Sequence, residues 1–96
     1  MNEYILLMHD DAVSEDAAAW GPYLTGLRES GRFDGGSATG RGALVSKRTG
    51  IAPIAGTLTG YVRVRAESLE DARRFVEGNP VYEGGGTIEI RELPRS

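Results

Sequence analysis

The chain has 96 residues, a formal net charge of −3 and no cysteine. That length holds one core and one domain, residues 1–96, and the missing thiols exclude disulfides, thiolate catalysis and zinc–sulfur centres. The acidic balance speaks against a nucleic-acid partner, whose protein usually presents a basic surface. No apolar run reaches membrane-spanning length, so no membrane partner is expected.

The first element is Glu3–His9, EYILLMH. Tyr4 to Met8 are apolar on both faces, where a half-solvated strand would alternate. This strand is expected at the centre of a sheet. The Met-Asn-Glu that precedes it lacks the basic flank and apolar centre of a signal peptide, so a cytoplasmic protein is expected.

Ser14 can cap a helix whose first turn carries Glu15 and Asp16. Trp20, Leu24 and Leu27, with Tyr23 beside them, form one apolar face. Pro22 would clash with a helix already running, so the helix either kinks there or begins near Gly21 with Pro22 in its first turn. Gly31 suits a left-handed stop.

Residues 35–46 and 57–66 read as two strands joined by a connection around Lys47–Gly56. The earlier strand is Gly-rich and fits a sheet edge. Ser68 with Asp71 then forms a capping-box pattern. It opens a helix whose buried stripe is Leu69, Ala72, Phe75 and Val76, with Glu70 and Arg74 paired at i, i+4. Gly78-Asn79-Pro80 closes that helix. Gly84–Gly86 leads into the last strand, Thr87–Leu93.

The order β-α-β-β-α-β predicts an α+β, ferredoxin-like domain with both helices on one face of a four-stranded antiparallel sheet. Val62, Val64, Ile88 and Ile90 are expected against the helices. Tyr61, Arg63, Arg65, Thr87, Glu89 and Arg91 then line the opposite face, with one side of the first strand. A surface mixing aliphatic and charged groups calls for a cover, and the same face of a second copy would supply it, making a homodimer.

In this order the pattern resembles the YCII-related family (the DGPF-domain-like proteins) of the dimeric α/β-barrel superfamily. The resemblance spans nearly the whole chain. It rests on EYILLMH with an acidic pair after it, Trp20-x-x-Tyr23, Gly31-Arg32-Phe33 before a Gly-Gly pair, and Gly60–Ala72 (GYVRVRAESLEDA). Asn79–Gly85 (NPVYEGG) resembles the family's Asp-Pro-aromatic turn, and Thr87–Leu93 its last strand. Two features depart from the family. The Asp-Gly-Pro-Phe motif of one branch is missing from Arg48–Ala55. Some members carry a first-helix histidine paired with an aspartate after the first strand, and the matching helix position here is Trp20. The resemblance implies a dimeric barrel and a small-molecule enzyme performing proton transfer, isomerisation or elimination in a cleft near the first strand and first helix.

His9 is the only histidine, and Asp10 and Asp11 follow it. A histidine with a carboxylate neighbour can serve as general acid or base, so these three are the catalytic candidates. Alternatively His9 is a surface residue at a strand end. Trp20 and Tyr23 could wall a pocket for a planar ligand or belong to the core. Tyr61 and Arg63, with Arg65, Glu89 and Arg91, could contact a small anionic ligand or form ion pairs across a dimer. One histidine without cysteine makes a dedicated transition-metal site unexpected, and nothing implies a cofactor. A non-catalytic dimeric module that binds a small ligand or another protein is the alternative to the enzyme.

Overall fold

The computed structural model describes residues 1–53 and 58–95. It contains β1 (Asn2–His9), α1 (Trp20–Ser30), β2 (Phe33–Ala38), β3 (Ala43–Ser46), β4 (Gly50–Pro53), β5 (Leu58–Ala66), α2 (Leu69–Ala72), α3 (Pro80–Glu83) and β6 (Ile88–Leu93). The main sheet has the order β2-β5-β1-β6, with every pairing antiparallel. The expected ferredoxin-like arrangement is therefore present, with β1 at the centre and β2 at an edge.

Alternation of side chains divides the sheet into two faces. Tyr4, Leu6 and Met8 of β1 and Val62, Val64 and Ala66 of β5 are buried toward the helices. Tyr23 and Leu27 of α1 meet them there, with Ala72, Phe75, Val76 and Val81. Ile88 and Ile90 pack against this core from β6. Leu7 stands opposite Tyr61 and Glu89, and Ile5 opposite Arg63 and Arg91, so these residues share the other face. Ile5, Leu7 and Tyr61 remain only half-buried there.

Several local expectations change. Ser14 caps nothing in α1. Asp16 accepts a bond from the Ala18 amide at 3.1 Å and caps a short 3₁₀ turn, Ala17–Ala19. The α-helix then begins at Trp20, which leaves Pro22 in its first turn, where no amide donor is required. Gly31 ends it in the left-handed region at φ 74°.

The predicted strand 35–46 is two strands. β2 stops at Ala38, and β3 pairs with β4 in a separate two-stranded hairpin. Gly40-Arg41-Gly42 breaks the run between them, and Lys47–Thr49 forms the hairpin's turn. Gly50–Pro53 of the expected connection form β4, while its residues 54–56, and Thr57 of the expected next strand, lie outside the described residues.

The predicted second helix makes only one α-helical turn. Its cap is as expected, with the Asp71 amide donating to Ser68 Oγ at 3.1 Å. A 3₁₀ turn, Arg73–Val76, follows and tightens the chain. Ala72, Phe75 and Val76 are buried as expected, but Leu69, at the start of α2, is 53% exposed instead of buried. The same tightening replaces the expected Glu70–Arg74 pair. Arg74 reaches Asp71 at 2.7 Å, and Arg73 faces Glu70 at 3.8 Å. Asn79 is fully buried and caps α3, accepting from the Val81 amide at 2.9 Å with Pro80 at the first position. No helix among the described residues is long and apolar enough to cross a membrane.

Candidate functional site

Two arrangements at one end of the sheet carry functional groups. The first is on the face away from the helices. His9 closes β1, and its Nε2 lies 2.8 Å from Oε1 of Glu89 on β6. Arg91 Nε donates to the other oxygen of Glu89 at 2.7 Å. Hydrogen bonds from His9, and then from Arg91, hold the Glu89 carboxyl below the usual carboxylate range against a smaller opposing cost of desolvation. The three residues form a chain, imidazole to carboxylate to guanidinium, with both the His9 and Glu89 side chains about one-third exposed at 31%.

The carboxylate beside His9 is thus neither of the two expected. Asp11 turns away and accepts from Thr87, from its amide at 2.8 Å and its hydroxyl at 2.6 Å. The Thr87 hydroxyl and then its amide lower the Asp11 pKa, and the charge of His9 adds a smaller lowering. Asp11 therefore ties the exit of β1 to the approach of β6. Asp10 is exposed and bonds to nothing among the described residues. Gly84 makes the loop's course possible. A side chain there would overlap the Ser14 carbonyl, while the Val13 and Ser14 amides donate to the Gly84 carbonyl at 2.9 and 3.2 Å.

The second arrangement is a cleft of about 500 Å³ between α1 and the β2 edge, lined by Trp20, Leu24, Phe33, Met8, Val62 and the backbone-rich Gly35–Ala38 segment among others. Trp20 is half-buried at its wall and meets Tyr23 edge-on, with ring centroids 5.9 Å apart. The Trp20 indole N–H donates to Glu15 at 2.9 Å. Arg28 lies over the Phe33 ring at 5.8 Å. Aromatic walls, a carboxylate and a guanidinium suit a planar molecule with polar substituents.

The four expected ligand residues separate. Trp20 lines the cleft, and Tyr61 borders it from β5, although alternation puts its side chain on the sheet's other face. Tyr23 is instead core, its hydroxyl donating to the Phe75 carbonyl at 2.5 Å. Arg63 lies on the uncovered face and pairs with Glu3 at 3.3 Å, as Arg65 pairs with Asp34 at 3.1 Å, so these cations have partners within the chain. Glu89, Glu15, Arg28 and Phe33 were not singled out for these positions. Period-2 alternation already places Glu89 on the His9 face, but the register that joins them is set by the β1–β6 pairing. Among the described residues no group of three or more histidine and acidic side chains could hold a metal ion.

No family model matches the chain, and no curated protein matches its sequence. Among solved structures it is similar to 5-chloro-2-hydroxyhydroquinone dehydrochlorinase (TftG) from Burkholderia phenoliruptrix AC1100, in complex with 2,5-dihydroxybenzoquinone. The TM-score is 0.59 at 16% identity, over 98% of this chain and 95% of that one. At that identity the likeness establishes a shared fold across the whole domain.

Proposed function

We propose that this protein is a homodimeric, YCII-related small-molecule enzyme that moves a proton on a planar, hydroxylated ring. His9 is the base and Glu89 the carboxylate that orients it. The observation that carries this reading is the 2.8 Å contact between them on the uncovered sheet face. With Nε2–H directed at Glu89, Nδ1 presents its lone pair and can take a proton from a substrate carbon or hydroxyl. The imidazolium so formed is stabilised by the carboxylate it already touches. Return of that proton to another ring atom is an isomerisation. Departure of an anionic leaving group from the neighbouring carbon is an elimination. The dehydrochlorinase of the same fold acts by name on a chlorinated hydroquinone, which supports a hydroxylated ring as the substrate class.

A second reading has its own observation. The cleft is walled by Met8 and Val62, which point to the helix face, whereas His9 points to the other. A ligand held wholly inside the cleft would meet no histidine, and the protein would then be a non-catalytic binding module. Trp20 is the only tryptophan, so its fluorescence reports on the cleft. Titration with 2,5-dihydroxybenzoquinone and related hydroxyquinones, with NMR of the His9 ring in parallel, separates the readings. The enzyme requires the His9 ring to shift on binding and turnover to vanish in His9→Asn. Quenching of Trp20 with an unmoved His9 ring leaves the binding module.

A further inference from the structure

The β3–β4 hairpin is exposed over most of its described residues. Leu44, Val45 and Ile51 are 56%, 75% and 77% exposed, and every residue of β3 is exposed. Val45 stands opposite Ile51, so the two make one apolar patch. An isolated two-stranded hairpin is marginal in water, and an apolar one invites a partner. The radius of gyration is 14.6 Å, against about 12.5 Å for a compact chain of this length.

Charge indicates what covers the hairpin. From Gly35 to Ala66 the chain has no acidic residue, and the hairpin and its lead-in carry Arg41, Lys47 and Arg48. The loop after β1 is the reverse. It carries Asp10, Asp11, Glu15 and Asp16 with no basic residue, beside Val13 at 90% exposure. Both features sit at one end of the sheet. β5 begins with Leu58 opposite His9, and β2 ends with Ala38 opposite Gly60, so the hairpin is rooted where β1 runs into the acidic loop.

We propose that the hairpin is an arm that docks on the acidic loop 10–16 of a second copy of this chain. There it closes the sheet end that holds the His9–Glu89 pair and the cleft. This rests on the homodimer of the reading above. Val45 and Ile51 meet Val13, while Lys47 and Arg48 meet the loop carboxylates. Strands of four residues reach roughly 13 Å, and facing sheets lie about 10 Å apart, so the arm can cross from one to the other. A two-fold axis makes the exchange reciprocal, with each copy giving an arm and receiving one. Each site would then be completed by the other chain.

The chain has no cysteine, so Thr49→Cys places a single spin label at the hairpin tip. Labelled, isotope-free chains are mixed with unlabelled ¹⁵N chains, and the ¹⁵N amides are observed. Broadening of residues 10–16 is expected in the mixed dimer. A dimer with no broadening there overturns the arm and leaves the homodimer standing. Broadening that requires label and isotope on one chain overturns it in favour of fold-back. A monomeric wild type removes both. As a second measurement, Lys47→Glu with Arg48→Glu should raise the dimer Kd about tenfold or more, with restoration by Asp10→Lys and Asp16→Lys. An unchanged Kd in the arm variant overturns the proposal.

Discussion

His9 and Glu89 are 80 positions apart in sequence, yet their side chains meet at 2.8 Å across β1 and β6. The contact has a pH consequence whose direction is fixed. The Glu89 carboxyl lies below its ordinary value of 4.5, chiefly because His9 and Arg91 bond to its charged form. A depressed carboxylate contributes stability that is present above about pH 4.5 and lost as pH falls through the folded value. Carboxyl-carbon NMR should therefore show Glu89 titrating below a model peptide. His9→Asn should move its midpoint upward, and a Glu89 midpoint unaffected by His9→Asn would show that the contact is not formed in solution.

Tyr23 was a candidate ligand residue, and its buried hydroxyl instead joins α1 to the turn after α2 through the Phe75 carbonyl. Tyr23→Phe leaves that carbonyl without its partner and should cost about 1–3 kcal/mol. The melting temperature should fall by roughly 4–8 °C per kcal/mol in a domain this small. Burial also raises the Tyr23 phenol above its ordinary 10.0. The neutral phenol's contribution is complete below about pH 10 and lost as pH rises through the folded value, so the variant should show a shallower alkaline decline in thermal melts.

The helix cap and the core beneath it separate in size. Ser68→Ala removes the bond from the Asp71 amide and should cost about 1 kcal/mol. Phe75 is only 8% exposed, and Phe75→Ala should cost about 3–5 kcal/mol. Denaturation midpoints that rank the two equally would contradict the burial of Phe75.

Much of the fold was legible because period-2 alternation survives in β5 and β6, and because β1 lacks it. Those three patterns place the strands and their two faces. Ser68 and Gly31 mark helix boundaries through local chemistry that does not depend on the rest of the molecule. The 3₁₀ turn at Arg73–Val76 was not legible, since the same apolar spacing also fits a longer α-helix. The hairpin was misread for a related reason. Leu44 and Val45 read as the end of the 35–46 strand and Ile51 as part of the connection, and composition does not reveal that the chain pairs Val45 with Ile51 away from the main sheet. The His9 partner was hidden by sequence distance, while Asp10 and Asp11, adjacent in sequence, drew the pairing to themselves.

The last prediction concerns the uncovered face. Leu6 and Leu7 are neighbours on β1 and point to opposite sides. Leu6 is fully buried among the helices, while Leu7 is half-buried between Tyr61 and Glu89 on the open face. Of these two residues, only Leu7 can therefore test assembly. Leu6→Asp puts a charge into the core and should unfold the chain. Leu7→Asp places its charge beside Glu89 on a face that a second copy would have to desolvate. It should leave a folded monomer, with far-ultraviolet circular dichroism near that of the wild type and half the mass by light scattering. A wild-type chain that is monomeric at micromolar concentration would refute the homodimer outright. A Leu7→Asp chain that stays dimeric would move the interface to another surface.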